Sequence, residues 1–255
     1  MKKFITILGV LGLCLGGATG ATGAKIEVPR TVLNADYQTL PISSGMSRVE
    51  SRVREAAVKV SRLDGGHGSG SLIDYKGSQF IITAQHVANG RLGTVYMISK
   101  NAQNRIAILI HGDPLNDIAV LWLSPEEEVV GVRPMPWRPV DTLPRVGTRI
   151  NYSGHPSSHS LLSFRGSIAG YETHPEAGMQ IILNVFGWFG SSGSVIYNES
   201  GRIVGILWGV DVDYYSGQPQ VNEGIVWVSP IQNLDMALAL APLCTQIPDI
   251  VSACN

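Results

Sequence analysis

The sequence predicts an all-β protein built as two β subdomains. From Val58 onward short apolar runs alternate with Gly, Pro, Asn and Asp, helical periods are few, and one interior stretch, Ser124 to Pro144, is rich in proline and charge. Many short strands separated by turn residues at intervals of roughly 8–15 residues indicate a sandwich or barrel architecture. The runs before the proline-rich stretch are Gly70 to Asp74, Gln79 to Thr83, Thr94 to Ser99, Arg105 to Ile110 and Ile118 to Leu123. Those after it are Thr148 to Ser153, Ser167 to Tyr171, Gln180 to Val185, Val195 to Tyr197, Ile203 to Gly209 and Gly224 to Val228. The stretch itself carries Glu126, Glu127, Glu128 and Pro134, Pro136, Pro139 and Pro144, and reads as the connection between subdomains. Its acidic triplet reads as a solvated turn and not as a metal site.

One helix opens the folded body. Val49, Val53, Ala56 and Ala57 recur at helical spacing among Arg48, Glu50, Arg52, Arg54 and Glu55, which predicts a short amphipathic helix over Ser47 to Lys59. Residues 25–46 have scattered prolines and no sustained period, and read as an extended leader or propeptide. Residues 1–24 are different: Lys2 and Lys3, the apolar run Phe4 to Leu15, then small residues to Ala24 make a secretory signal peptide. The run is shorter than the ~18 residues of a membrane span. Leu13 precedes Cys14 where lipoprotein signals carry a small residue. Export to the periplasm or the extracellular space, with no stable membrane anchor, is the expectation.

The chain has 255 residues, a formal net charge of -1 and 15% charged residues, the balance of a globular protein. That charge gives no reason to expect nucleic acid or an anionic membrane surface as partner. Once the signal is removed, Cys244 and Cys254 remain, in a C-terminal tail, residues 242–255. An oxidising compartment permits them to pair, and two free thiols are the other reading.

Three short texts carry chemistry. Gly190-Ser191-Ser192-Gly193-Ser194 reads as a nucleophile loop, because flanking glycines let a hydroxyl protrude while N–H groups converge beside it. Alone it is ordinary loop composition. His86 ends the apolar run Phe80 to Thr83, a rigid place from which to present an imidazole. Asp117 stands directly before the apolar strand Ile118 to Leu123, where a partly buried carboxylate must find donors.

Thr-Ala-x-His-Val, Asp-Ile-Ala-Val-Leu and Gly-x-Ser-Gly-Ser, in that order, resemble the chymotrypsin/trypsin-type serine proteases, and nearest the bacterial branch with the HtrA-type proteases and glutamyl endopeptidases. The order His, Asp, Ser is diagnostic, since other folds that build the triad arrange it differently. Gly68-Ser69-Gly70, Gly154-His155-Pro156 and Gly205-Ile206-Leu207-Trp208-Gly209 extend the resemblance over roughly Ala57 to Leu238. It implies two six-stranded antiparallel Greek-key β-barrels, about residues 56–127 and 145–230 of a domain at 47–241. The active site would lie in the cleft between them, with short helices at both ends, the last over Asn233 to Ala241.

By the same resemblance Ser192 is the nucleophile, His86 the general base and then acid, and Asp117 the group that orients the imidazole. The N–H groups of Gly190 and Ser192 form the oxyanion hole. Phe186, Phe189, Leu207, Trp208, Gly209 and Gly224 line the substrate pocket. No acid or base falls at the pocket base, so a small or apolar residue before the cut is expected, not Arg or Lys. Ser191 stands where animal enzymes carry an aspartate that salt-bridges a new N-terminus, so that switch is not available in its usual form. Val195 replaces the proline commonly found shortly after the nucleophile.

The expected partner is a polypeptide substrate, with no cofactor and no metal. His67, His111, His155, His159 and His174 are assigned to loops, and Pro156 forbids a two-histidine helical metal face at His155 and His159. Asp211 to Gln220 reads as an insertion-like loop with Tyr214 and Tyr215 beside the cleft. No peptide-binding domain is expected after the terminal helix, which favours a monomer. Two alternatives stay open: a catalytically silent binding module, and an esterase on the same scaffold.

Overall fold

β-branched and aromatic residues dominate the apolar runs, and in the computed structural model, which describes residues 45–247 and 251–254, these runs close into two barrels. The expected signal peptide, 1–24, and the leader through residue 44 lie outside the described residues. The first barrel contains β1 (Ala57–Ser61), β2 (His67–Tyr75), β3 (Ser78–Thr83), β4 (Val95–Lys100), β5 (Gln103–Asp113) and β6 (Ile118–Trp122). Their order is β1-β4-β5-β6-β3-β2, closed by the pairing of β1 with β2, and β7 (Met135–Pro136) adds a short parallel strand to β2.

The second barrel contains β8 (Arg149–Gly154), β9 (Leu162–His174), β10 (Gly178–Asn184), β11 (Val195–Asn198), β12 (Ile203–Tyr215) and β13 (Gln218–Pro230). Its closed order is β10-β13-β12-β11-β8-β9. Counted from its own first strand, each barrel follows the same circuit of first, second, third, sixth, fifth and fourth. This is the predicted trypsin-like double barrel. The circuit puts third and sixth strands side by side: Thr83 of β3 lies opposite Ala119 of β6. His86 follows the one and Asp117 precedes the other, so topology alone brings residues 31 apart in sequence together. Between the barrels, Ser71 Oγ and the Tyr197 hydroxyl form a buried hydrogen bond of 2.9 Å that joins β2 to β11.

The ends differ from the sequence reading. The first helix, α1 (Arg48–Ala56), is started by a capping box between Ser47 and Glu50 and stops before the predicted Lys59. Val58 and Val60 are fully buried on one face of β1, and pairing with β2 and β4 outweighs the continued helical period. The last helix, α2 (Met236–Gln246), begins later than predicted because Asp235 caps it, accepting the N–H groups of Ala237 and Leu238. It also runs through Pro242 into the expected tail, burying Met236, Ala239, Leu240 and Leu243 on one face. Pro242 removes only the bond to the carbonyl of Leu238, a residue on the exposed face. Three of the histidines assigned to loops lie in strands: His67 begins β2, His111 is in β5 and His174 ends β9.

Cys244 of α2 is bonded to Cys254, with a Cα–Cα distance of 5.3 Å. Cys254 belongs to a 3₁₀ turn, Ser252–Cys254, whose Ala253 N–H donates to Ser78 Oγ at 3.1 Å. The bridge therefore ties α2 to a segment seated on the start of β3. Cys254→Ser is expected to lower stability by about 2–3 kcal/mol in the chain-entropy picture, read as a shift of the denaturation midpoint.

Candidate active site

Asp117 occupies a left-handed backbone conformation, φ 53°, which Asp and Asn adopt more readily than most residues. This turns its carboxylate back toward the end of β3. One oxygen accepts the His86 backbone N–H at 2.7 Å, and the other lies 2.5 Å from His86 Nδ1. One side chain thus fixes both where the imidazole stands and which of its nitrogens is engaged. The turn is in turn held by the second barrel: Ser229 Oγ donates to the Asn116 carbonyl, and Asn233 Nδ2 donates to Asn116 Oδ1 at 2.7 Å.

The loop Gly190 to Ser194 is clamped from behind by Ser69, which is fully buried in β2. The Ser69 N–H donates to the Ser192 carbonyl at 2.8 Å, and its hydroxyl donates to the Gly190 carbonyl at 2.7 Å while accepting the His155 N–H at 2.8 Å. A carbonyl just before the loop and one within it are also tied down. Ser157 N–H donates to Phe189 O at 2.6 Å, and Ser194 N–H donates to Ser191 O at 3.0 Å. In a trans peptide the N–H points opposite to the carbonyl. Phe189 O and Ser191 O are both engaged, the N–H groups of the same two peptides, of Gly190 and Ser192, point away from those partners, and among the described residues neither donates to a protein acceptor.

Ser192 Oγ lies 3.5 Å from the Trp208 carbonyl, and no hydrogen bond joins it to His86. Gly68 lies against both segments: an added Cβ would stand 2.5 Å from a methyl of Val87, the residue after His86, and 2.8 Å from the Ser192 carbonyl. The segment that carries His86, engaged by Asp117, and the loop that carries Ser192 thus both border Gly68 at the start of β2. Among the described residues no group of three or more His, Cys, Asp or Glu side chains is arranged to hold a metal ion.

A family model, that of the trypsin-like peptidase domain, matches residues 68–206, more than half of the chain. The chain belongs to the trypsin-like peptidases. A search of curated proteins gives no match. Among solved structures, a serine-to-alanine mutant of Rv3671c from M. tuberculosis H37Rv, in an inactive form, is similar at 17% identity with a TM-score of 0.58, covering 81% of this chain and 98% of its own. The HtrA-type protease AlgW, in a serine-to-alanine form with a tripeptide, is similar at 19% identity with a TM-score of 0.59. That match covers 78% of this chain and 62% of AlgW. At these identities the likeness speaks to fold.

In this peptidase the residues expected to line the substrate pocket differ in exposure. Phe186 is 42% and Phe189 47% exposed, while Leu207 is buried. Phe186 stacks on Phe164, and its carbonyl accepts the Tyr152 hydroxyl at 2.5 Å. Trp208 is held by its indole N–H, which donates to the buried Gln180 Oε1 at 2.9 Å. A Cβ added at Gly187 would lie 2.6 Å from a Val226 methyl and 3.0 Å from one of Val210, so these valines already pack against the glycine. Two surface hollows, of about 430 and 420 Å³, lie elsewhere, at Arg138 and Arg202 and at Tyr152 and Phe164. Neither includes His86, Asp117 or Ser192. Ser191 is fully buried, and its Oγ accepts the Trp188 N–H at 3.4 Å.

Sequence reading missed Ser69, Ser157 and Asn116, which act through main-chain contacts that no motif records. It also set aside His67 and His155, which flank the loop: the position of a Cβ on Gly190 lies 2.4 Å from His155 O and 3.0 Å from His67 Nε2. Burial chiefly, then the nearby charges of Lys100 and Lys59, hold His155 down to about 4, and burial and Lys59 lower His67 as well. Both groups are therefore neutral in the folded protein at pH values where the unfolded chain already binds protons. The unfolded state takes up more protons between the ordinary value of 6.5 and about 4, so folding stability falls as pH drops through that window. Thermal unfolding midpoints are expected to fall from pH 6.5 to 4, and less steeply in His155→Asn.

Proposed function

We propose that this peptidase is an exported serine endopeptidase, acting through an acyl-enzyme formed on Ser192. The observation that carries the reading is the pair of unpaired N–H groups, of Gly190 and Ser192, beside the Ser192 hydroxyl. Donors oriented in advance and left without a partner cost stability unless the position they address is to be filled.

In the reacting state Ser192 Oγ gives up the Trp208 carbonyl and donates to His86 Nε2 instead. Asp117 engages Nδ1, so Nε2 is the nitrogen free to accept the hydroxyl proton as Oγ attacks the substrate carbonyl. Charge develops on the carbonyl oxygen and is met by the two N–H groups. Collapse of the tetrahedral intermediate expels the amine, which takes the proton from His86, and leaves the acyl group on Ser192. Water deprotonated by His86 then attacks the ester and regenerates the enzyme. Small residues before the cut suit the valines packed on Gly187, and none of Phe186, Gly187, Phe189, Leu207, Trp208, Gly209, Gly224 and Val226 bears a charge.

Export rests on residues 1–24, and the fold with its polypeptide substrates does not depend on it. Hydrolysis of a peptide library, followed for the wild type and for Ser192→Ala, tests the proposal. Cleavage after small or apolar residues is expected, with a drop of at least ~10³-fold in the variant. Equal cleavage by both proteins would place the nucleophile elsewhere.

A further inference from the structure

Ser191 is the corner shared by two tight turns. In the first, Trp188 to Ser191, the Ser191 N–H donates to the Trp188 carbonyl at 2.8 Å, and Gly190 (φ 91°) stands third. In the second, Ser191 to Ser194, the Ser194 N–H closes on the Ser191 carbonyl and Gly193 (φ 86°) stands third. A left-handed residue at the third position is the mark of a type II turn. The Gly190 N–H belongs to the central peptide of the first turn, and the Ser192 N–H to the peptide whose carbonyl closes the second. Both N–H groups therefore take their direction from how Ser191 is held.

Its side chain is held from the second barrel. The buried Ser191 hydroxyl, besides accepting the Trp188 N–H, engages the phenolic oxygen of Tyr152, which is 1% exposed on β8. Tyr152 donates onward to the Phe186 carbonyl at 2.5 Å, and the N–H of that same peptide, of Gly187, donates to Glu223 O of β13 at 2.8 Å. The peptide leading into the first turn is thus gripped at both ends. The Tyr152 ring lies against Phe164, centroids 4.9 Å apart, which places it independently of the hydroxyl. Burial pushes the phenol well above its ordinary ionisation range, against a smaller opposing effect of the Ser191 hydroxyl. The hydroxyl therefore remains a donor.

We infer that Tyr152 is a positioning residue for acyl transfer: its hydroxyl ties Ser191 to the Phe186 carbonyl and so holds the Gly190 and Ser192 N–H groups where the oxyanion forms. This rests on the reading of Ser192 as the nucleophile. Tyr152→Phe keeps the ring on Phe164 and removes the hydroxyl alone. With the best-cleaved library peptide, kcat is expected to fall at least about tenfold while KM stays within about twofold, since misplaced donors weaken the hold on the transition state and not on the substrate. Ser191→Ala should show a similar loss, and the double variant little more than either single one, because both break the same tie.

Two further readouts separate positioning from lost packing. The aldehyde of the same peptide, whose adduct with Ser192 places an oxyanion on the two N–H groups, should lose affinity in Tyr152→Phe by about the factor seen in kcat. Binding of the uncleaved peptide, measured in the Ser192→Ala background, should not change. In hydrogen exchange the Ser191 and Ser194 amides should exchange faster in Tyr152→Phe, with those of the first barrel unchanged. Wild-type kcat in a folded Tyr152→Phe, or unaltered exchange of the loop, would overturn the inference. So would equal losses of aldehyde and peptide binding, which would place Tyr152 in the substrate site. Faster loop exchange in Tyr152→Phe beside a wild type that hydrolyses no peptide would leave the tie standing and count against the catalytic reading alone.

Discussion

Gly193→Ala is expected to abolish peptidase activity and to destabilise the protein by several kcal/mol, more than any other single methyl added to the site. Gly193 has φ 86°, a conformation that disfavours a side chain. A Cβ there would stand 2.1 Å from the Ser69 carbonyl, 2.2 Å from Thr83 Oγ1 and 2.9 Å from the Ala84 N. Two of these atoms are main chain of the first barrel and cannot swing aside. Thr83 Oγ1 is no freer, because it donates to the Ser69 carbonyl at 2.7 Å. The only relief is to lift the loop off β2 and β3, which breaks the bonds from Ser69 to the Ser192 and Gly190 carbonyls. Chemical denaturation with a parallel activity assay reads both effects, and a stable, active Gly193→Ala protein would mean that the loop does not sit against the first barrel as described.

Asp117→Asn is expected to leave the fold nearly intact and to lower kcat by about 10⁴-fold, the magnitude found for the equivalent change in a well-studied serine protease. The amide retains an oxygen for the His86 backbone N–H, which Asp117 holds at 2.7 Å, and Asn tolerates the left-handed backbone of this position. What changes is the group facing His86 Nδ1, now 2.5 Å from a carboxylate oxygen. An amide N–H placed there donates to Nδ1 and forces the ring proton to Nε2, where no lone pair remains for the serine proton. Steady-state kinetics should therefore show the loss in kcat with little change in KM. A uniform rise in KM would instead mark Asp117 as shaping the substrate site.

The fold was legible because strand signals are local. Gly and Asn punctuation around runs such as Phe80 to Thr83 survives in one dimension, and two of the three motifs, those of His86 and Asp117, lie at strand ends that the first barrel's circuit brings together. The failures are tertiary. Val58 and Val60 belong to a strand because β2 and β4 are there to receive them, and no local preference records that. Asp211 to Gln220, polar and turn-rich, form strands since each half pairs with the other across a left-handed turn. Within the site, motif and order named His86, Asp117 and Ser192, and the contacts of Asp117 with the His86 backbone N–H and Nδ1 are the part of that reading whose geometry is observed. Ser69 was quoted only as part of a glycine-flanked text, and its two bonds to the loop are with Gly190 and Ser192, residues 121 and 123 positions away.

The central claim is that Ser192 is a hydroxyl activated by His86 and Asp117 and served by the Gly190 and Ser192 N–H groups. A fluorophosphonate probe, incubated with the wild type at neutral pH and followed by mass spectrometry of the digested protein, tests it most directly. The account predicts one equivalent of phosphonyl adduct, located on Ser192 and lost in both Ser192→Ala and His86→Ala. An unlabelled wild type, or an adduct on Ser191 or Ser194, would contradict it.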